Sequence, residues 1–328
     1  EHTVAAMKLP VGLALITLTA EDGTDVRALA AILLFSIAYG CSIAGIGTPS
    51  GGARNAIMIG YWMEFFNIEI DYLKWMLYSY PMFLLQLPFV TLILFMTFKL
   101  PANVTDLTPA VEKLREQVAN DGPLNSKGWV AILLFGFILF GWVFLSSGVG
   151  MGTIAILGAS AFLVAGLVKW EDLNSGVNWG VVLLYAAAIS LGVQMKDTGA
   201  AAWIAQSFLD MLTPLGADKG MGLWLAVSAL TTGVTNTMSN GAAVAVLGPI
   251  VLNLAHAANE SPVVIGFITA ISSAFAYLTV VGTPACTIVY AAGYLKTTDF
   301  LAVGWKMALM STIMMMLFAA IYWPMLGL

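Results

Sequence analysis

The chain has 328 residues, of which 60% are hydrophobic and 9% charged, with a mean hydropathy of +0.90 and a formal net charge of −5. A soluble domain carries about 25% charged residues, so this composition excludes a soluble globular protein and indicates an integral membrane protein. The charges form no basic tract, which excludes nucleic-acid binding. Cys41 and Cys286 are the only cysteines, and both sit in apolar runs, where they read as small buried hydrophobes and not as a disulfide framework.

Strict apolar/polar alternation is absent, so the expected fold is an all-α polytopic membrane protein and not an outer-membrane barrel. A membrane span needs about 20 mostly apolar residues. In chain order the candidate windows are Thr3–Thr19, Val26–Ile46, Trp75–Phe98, Gly128–Leu145, Met151–Val168, Trp179–Met195, Gly222–Met238, Val263–Val281 and Leu301–Trp323. Lys8 makes the first of these odd as a simple lipid-facing span. The chain opens at Glu1 without Met, inside what reads as a helix, and is expected to be the C-terminal two-thirds or so of a longer protein. Pro101 to Lys127 is the one long polar stretch. It holds Glu112, Lys113, Arg115 and Glu116 and is expected to be a soluble connection with a short amphipathic helix. Lys196, Asp197, Asp210, Asp218, Lys219 and Lys296 fall at span ends, where snorkelling accounts for them.

Two helix-breaking phrases occur twice. Gly47-Thr48-Pro49 recurs as Gly282-Thr283-Pro284, an offset of 283 − 48 = 235. Upstream, the run from Thr3 to Pro10 matches that from Ala242 to Pro249, an offset of 249 − 10 = 239. Paired interruptions at corresponding points of two halves are a sequence pointer to a transporter's substrate site. The expected organisation is therefore residues 1–99 as the remainder of a first repeat, 100–127 as the polar connection, and 128–328 as a second repeat. That second repeat is expected to hold a hairpin tip near 239–241 and a broken helix near 282–284.

Small and polar residues crowd the stretch from Thr231 to Gly241, between two hydrophobic segments. This suits a helical hairpin that enters the membrane and turns back at Ser239-Asn240-Gly241. Non-helical backbone at that depth survives only when buried in protein or lining a wet cavity. A helix starting there aims free N–H groups and a positive dipole end at an anion, while one ending there offers bare carbonyls to a small cation such as Na⁺. The competing account, that Gly, Ser and Thr merely allow close helix packing, is preferred for Ser146-Ser147-Gly148 and for Gly150-Met151-Gly152.

These motifs resemble the divalent anion/sodium symporter family. Its members carry Ser-Asn-Thr at each of two hairpin tips, and each tip is paired with a Gly-Thr-Pro-type loop in a broken helix. Here Ser239-Asn240-Gly241, with Pro249 following, is similar to the second tip. Val281-Gly282-Thr283-Pro284 is similar to its loop, and Gly45-Ile46-Gly47-Thr48-Pro49 to the first loop. The resemblance implies an inverted-repeat, normally dimeric elevator transporter of organic dicarboxylates or similar divalent anions, coupled to Na⁺ and lying in a bacterial inner membrane. Carried over by position, Asn240, Thr283 and Pro284 would touch substrate, joined by Gly241 at the tip and by Thr48 and Pro49 in the first loop. Thr235, Met238, Asn240 and Gly282 would surround the second sodium site, and Gly47 would border the first.

Three positions depart from the family pattern. Gly241 replaces a Thr, Gly51-Gly52-Ala53-Arg54-Asn55 replaces a shorter proline turn, and Glu1 and His2 stand where Asn and Thr belong. The expectation is that Glu1, His2 and Arg54 reshape the first half-site, with Glu1 as a cation ligand and His2 and Arg54 toward the anion. Such a change would replace sodium coupling with a proton or a fixed positive charge. The alternatives are a proton-coupled or exchange carrier of sulfate-like oxyanions, an arsenite or proton-coupled antiporter with related hairpins, a passive anion channel and, remotely, an intramembrane enzyme. The last lacks an ordered Ser/His/Asp set, an embedded Asp pair or a metal-binding His spacing.

Overall fold

The computed structural model describes residues 2–20, 26–100, 122–177 and 179–328, with isolated positions between 108 and 119. Among the described residues all regular structure is helical. The first half comprises α1 (His2–Ala20), α2 (Arg27–Ala44), a 3₁₀ turn at Pro49–Gly51, α3 (Ala53–Phe66) and α4 (Tyr72–Thr97). The second comprises α5 (Ser126–Val149), α6 (Met151–Val164), α7 (Trp170–Gly176), α8 (Trp179–Asp197) and α9 (Ala200–Leu212), then α10 (Gly220–Thr235), α11 (Asn240–Ala257), α12 (Pro262–Ser272), α13 (Pro284–Tyr290) and α14 (Thr297–Leu317). The expected amphipathic helix around Glu112 and Glu116 falls largely outside the described residues.

Local sequence sets several helix starts. Asp71, Asn125 and Ser261 each lend a side-chain oxygen to an N–H in the first turn, of Lys74 (2.7 Å), Gly128 (2.8 Å) and Val264 (3.4 Å) respectively. Each so satisfies a donor that no helical carbonyl can reach. Gly150, at φ 85°, is the bend between α5 and α6, a conformation that glycine adopts without a Cβ penalty.

Among the described residues five helices are long and apolar enough to cross a membrane: Arg27–Ala44, Tyr72–Thr97, Ser126–Val149, Asn240–Ala257 and Thr297–Met325. Several expected spans are shorter than their windows, two of them by the most. The window 151–168 is helical only to Val164, and the window 263–281 is helical only to Ser272. In the latter, the bare Ser273 carbonyl accepts from the Thr235 hydroxyl (2.7 Å) and not from a following turn of helix, so a long apolar stretch carries a break at its middle. The α5–α6 pair turns almost all of its apolar side chains outward, among them Trp129, Phe137 and Phe144, as a lipid-facing layer requires.

The interior is built by reciprocal packing of the two halves. α1 packs on α2 and on α13 of the other half, while α11 packs on α12 and on α3 of the other half. At the centre, Tyr61 and Trp62 of α3 stand in notches left by glycines. The Tyr61 ring lies where a Cβ on Gly248 (2.5 Å) or Gly192 (2.6 Å) would be, and the Trp62 indole Nε1 where a Cβ on Gly266 would be (2.6 Å). Phe267 then gathers Trp62, Trp75, Tyr78 and Trp323 into one aromatic cluster.

Candidate functional site

The two Gly-Thr-Pro loops have the same backbone form. Thr48 has φ −137° and ψ 152°, Thr283 has φ −138° and ψ 149°, and each precedes a proline that opens a helical turn. Pro is favoured at that first position because its missing N–H would have no partner there. In the second loop the Thr283 hydroxyl accepts from Cys286 N at 3.2 Å. In the first, Thr48 and Ser50 hydroxyls lie 3.5 Å apart, and Ser50 reaches the Tyr72 hydroxyl at 3.0 Å.

Asn55 holds the first loop, its amide donating to the carbonyls of Gly45 (2.8 Å) and Thr48 (2.7 Å). Trp75 Nε1 donates to the Ile46 carbonyl at 2.9 Å, and Ser79 donates to Gly47 O at 3.4 Å. A Cβ on Gly51 would strike the Gly45 carbonyl, which explains the small residues inserted there. Beside this loop a cavity of about 320 Å³ is lined by Pro49, Ser50, Tyr72, Trp142 and Tyr185 among others.

The second tip is a helix–turn–helix. α10 ends at Thr235, and α11 begins at Asn240 with Ser239 as its cap (Ala242 N to Ser239 Oγ, 3.4 Å). Asn236 ties the end of α10 to the broken helix. It donates to Thr232 O (2.7 Å) and Phe275 O (3.2 Å) and accepts from Leu278 N (2.8 Å). Asn240, 5% exposed, is the hub. Its inward amide atom lies 3.0 Å from Ser273 O, 3.0 Å from Thr235 Oγ1 and 3.2 Å from Gly282 O, and its outward atom lies 3.2 Å from Arg54 Nη1. Gly241 faces the first loop, where a Cβ would sit 3.6 Å from that of Ala53.

The structure thus brings together Thr235, Asn240 and Gly282 from the expected sodium set, with Thr283 and Pro284 following directly in the chain. Met238 lies in the same turn, its N–H bonded to Val234 O at 3.2 Å. Gly47 and Pro49 are buried and Thr48 is half-buried. Arg54 was expected at the first half-site. Its guanidinium is 1% exposed, reaches across to the second tip, and donates through Nη2 to Ser42 O at 3.3 Å. That carbonyl is the one of the last four in α2 that no backbone N–H takes, so the cation also completes a helix C-terminus. Glu1 lies outside the described residues, and His2 enters only as the first residue of α1. Lys8 is exposed on α1, beside a groove it shares with α2 and α4.

Sequence reasoning missed three contributors: the Ser273 carbonyl, Asn236 and Asn55. Ser273 had no signal except the Ser pair after an apolar run. Asn55, directly after Arg54, is the one uncharged polar side chain of the glycine-rich stretch 51–55. Ser146 is 4% exposed and accepts from Tyr72 N at 3.4 Å, in keeping with a packing role.

A protein family described as the sodium:sulfate symporter transmembrane region matches residues 8–328. Among curated relatives, an uncharacterized transporter of Haemophilus influenzae is 25% identical over 97% of this chain and 68% of its own length. A Caenorhabditis elegans protein named sodium-dependent high-affinity dicarboxylate transporter 3 is 27% identical over 85% of this chain and 55% of its own. The sodium-dependent dicarboxylate transporter SdcS of Staphylococcus saprophyticus is 25% identical over 96% and 64% respectively. The chain therefore spans between about half and two-thirds of the length of these relatives. With the match running through both Gly-Thr-Pro loops and the hairpin tip between them, this integral membrane protein belongs to the sodium:sulfate symporter family, a family of transporters and not of enzymes.

Proposed function

We propose that the protein is a secondary active transporter that moves an organic dicarboxylate or similar divalent anion across the membrane in symport with Na⁺. The single observation that carries this reading is the meeting at Asn240: a helix start, a broken-helix carbonyl (Gly282) and a helix-end carbonyl (Ser273) converge within 3.2 Å of one amide. Helix starts stabilise anions, and bare carbonyls with a hydroxyl suit a small hard cation. In this reading Asn240, Gly241, Thr283, Pro284, Thr48, Pro49 and Arg54 face the anion. Thr235, Met238, Asn240 and Gly282 hold one Na⁺, with Gly47 beside another. The relatives' names support the dicarboxylate and the family's description supports sulfate, so the oxyanion alternative stays as the second substrate class.

The matched loops and reciprocal packing support a duplicated, inverted-repeat architecture, and the reading is completed by an elevator motion in a homodimer of a bacterial inner membrane. The experiment is uptake of labelled succinate by the full-length protein in liposomes, under an inward Na⁺ gradient or a K⁺ gradient. Saturable, Na⁺-driven uptake that other dicarboxylates or sulfate compete away is expected. Uptake without saturation would mean a channel, equal uptake in K⁺ with strong pH dependence would mean proton coupling, and no competition by any of these anions would sink the substrate class.

A further inference from the structure

Asn240 stands between two sets of neighbours, which one orientation of its amide satisfies together and the other does not. A primary amide presents oxygen on one side and nitrogen on the other, and which side faces which neighbour follows from the hydrogen-bond network. With nitrogen inward, its two N–H groups meet the oxygens of Ser273, Thr235 and Gly282, and its oxygen accepts from Arg54 Nη1 at 3.2 Å. With oxygen inward, four oxygens converge, and the Thr235 hydroxyl, which donates to Asn240 Oδ1 (3.0 Å) or to Ser273 O (2.7 Å), brings the only proton among them. Such a cluster of oxygens is stable around a small cation and costly without one. The same orientation turns the NH₂ toward a guanidinium, donor against donor, at a residue only 1% exposed.

We propose that the Asn240 amide is a two-position switch contested by Arg54 and the coupling cation. Arg54 holds the amide oxygen outward in the cation-free state. Cation binding turns the oxygen inward and takes this acceptor from the guanidinium. Because Arg54 is anchored on the Ser42 carbonyl of α2, the contest links the second half's cation site to the first half's loop. This inference rests on the sodium-coupled reading given above.

The test follows the thermal stability of the purified full-length protein while NaCl replaces choline chloride at constant ionic strength. Arg54→Met is expected to lower the half-saturating Na⁺ concentration about tenfold, the scale of one lost charge-assisted hydrogen bond. Arg54→Lys, which keeps the charge but loses the planar fork, is expected to lower it less. Asn240→Ala, which removes the contested amide, should erase the difference that Arg54→Met makes to the half-saturating concentration. An unchanged or raised half-saturating concentration in Arg54→Met overturns the switch while leaving sodium coupling in place. Should the Met variant fail to fold, Arg54→Lys decides by the same criterion. If Na⁺ stabilises neither wild type nor variants, the sodium-coupled reading falls and the switch with it.

Discussion

Pro249 has no N–H, so within α11 the carbonyl of Ala245 loses its helical donor. Tyr61, from the other half of the molecule, supplies the replacement: its hydroxyl lies 2.8 Å from Ala245 O and 2.9 Å from Ala188 O. A buried backbone carbonyl left without a donor costs about 1–3 kcal/mol, and no water competes for it at this depth. Tyr61→Phe should therefore destabilise the protein by about 1–3 kcal/mol, read as a lowered thermal midpoint in detergent. An unchanged midpoint would show that the helix re-satisfies Ala245 by itself. The proline reads in the sequence as a helix interruption, but α11 runs unbroken through it. The partner was not legible, because nothing in a linear reading connects a tyrosine at 61 with a carbonyl 184 residues later.

At the scale of elements, α3 is a wedge whose two rings fit the glycine notches of α8, α11 and α12. A methyl added at Gly248 would come within 2.5 Å of the Tyr61 ring, a rigid neighbour that cannot swing aside. Overpacking of this kind typically costs about 1–3 kcal/mol, so Gly248→Ala should lower the thermal midpoint. Combined with Tyr61→Ala, the added penalty should largely vanish, because the clash has lost its second party. Strictly additive losses would mean that the ring is not what Gly248 accommodates. Helix type was readable from hydropathy, since apolar runs of span length have few alternatives, but number was not: nine windows stand against five span-length helices among the described residues. The interruption at Ser273 was not readable either, because residues 274–281 stay mostly apolar through the break. There the backbone leaves the helix to meet Thr235 and Asn236, and such long-range partners leave no local pattern.

For the whole molecule, the doubled Gly-Thr-Pro phrase foretold two loops of one geometry, and the structure gives their threonines the same backbone angles within a few degrees. Their neighbourhood at the site was foreseeable from the tip residues Asn240 and Gly241. The reach of Arg54 into the opposite half was not, because its partners, Asn240 and the Ser42 carbonyl, leave no local pattern around residues 51–55. A further expectation belongs at this scale. Asn55→Ala removes two donors from the Gly45 and Thr48 carbonyls, and should raise the KM for the transported anion severalfold more than it lowers the thermal midpoint would suggest, as loss of loop positioning does. An unaltered KM would detach the first loop from substrate recognition.

The exchange of partners between α1 and α13, and between α3 and α11, also governs how the chain comes to be folded. The segment 2–20 must wait for residues 284–290 to be synthesised before its face is covered, which at ribosomal speed is a delay of roughly tens of seconds. During that interval an apolar surface is held in lipid without its eventual neighbour, and contacts so distant along the chain form slowly. Nascent chains arrested after α12 should accordingly be exposed to membrane quality-control proteases, whereas chains released beyond α13 should resist them.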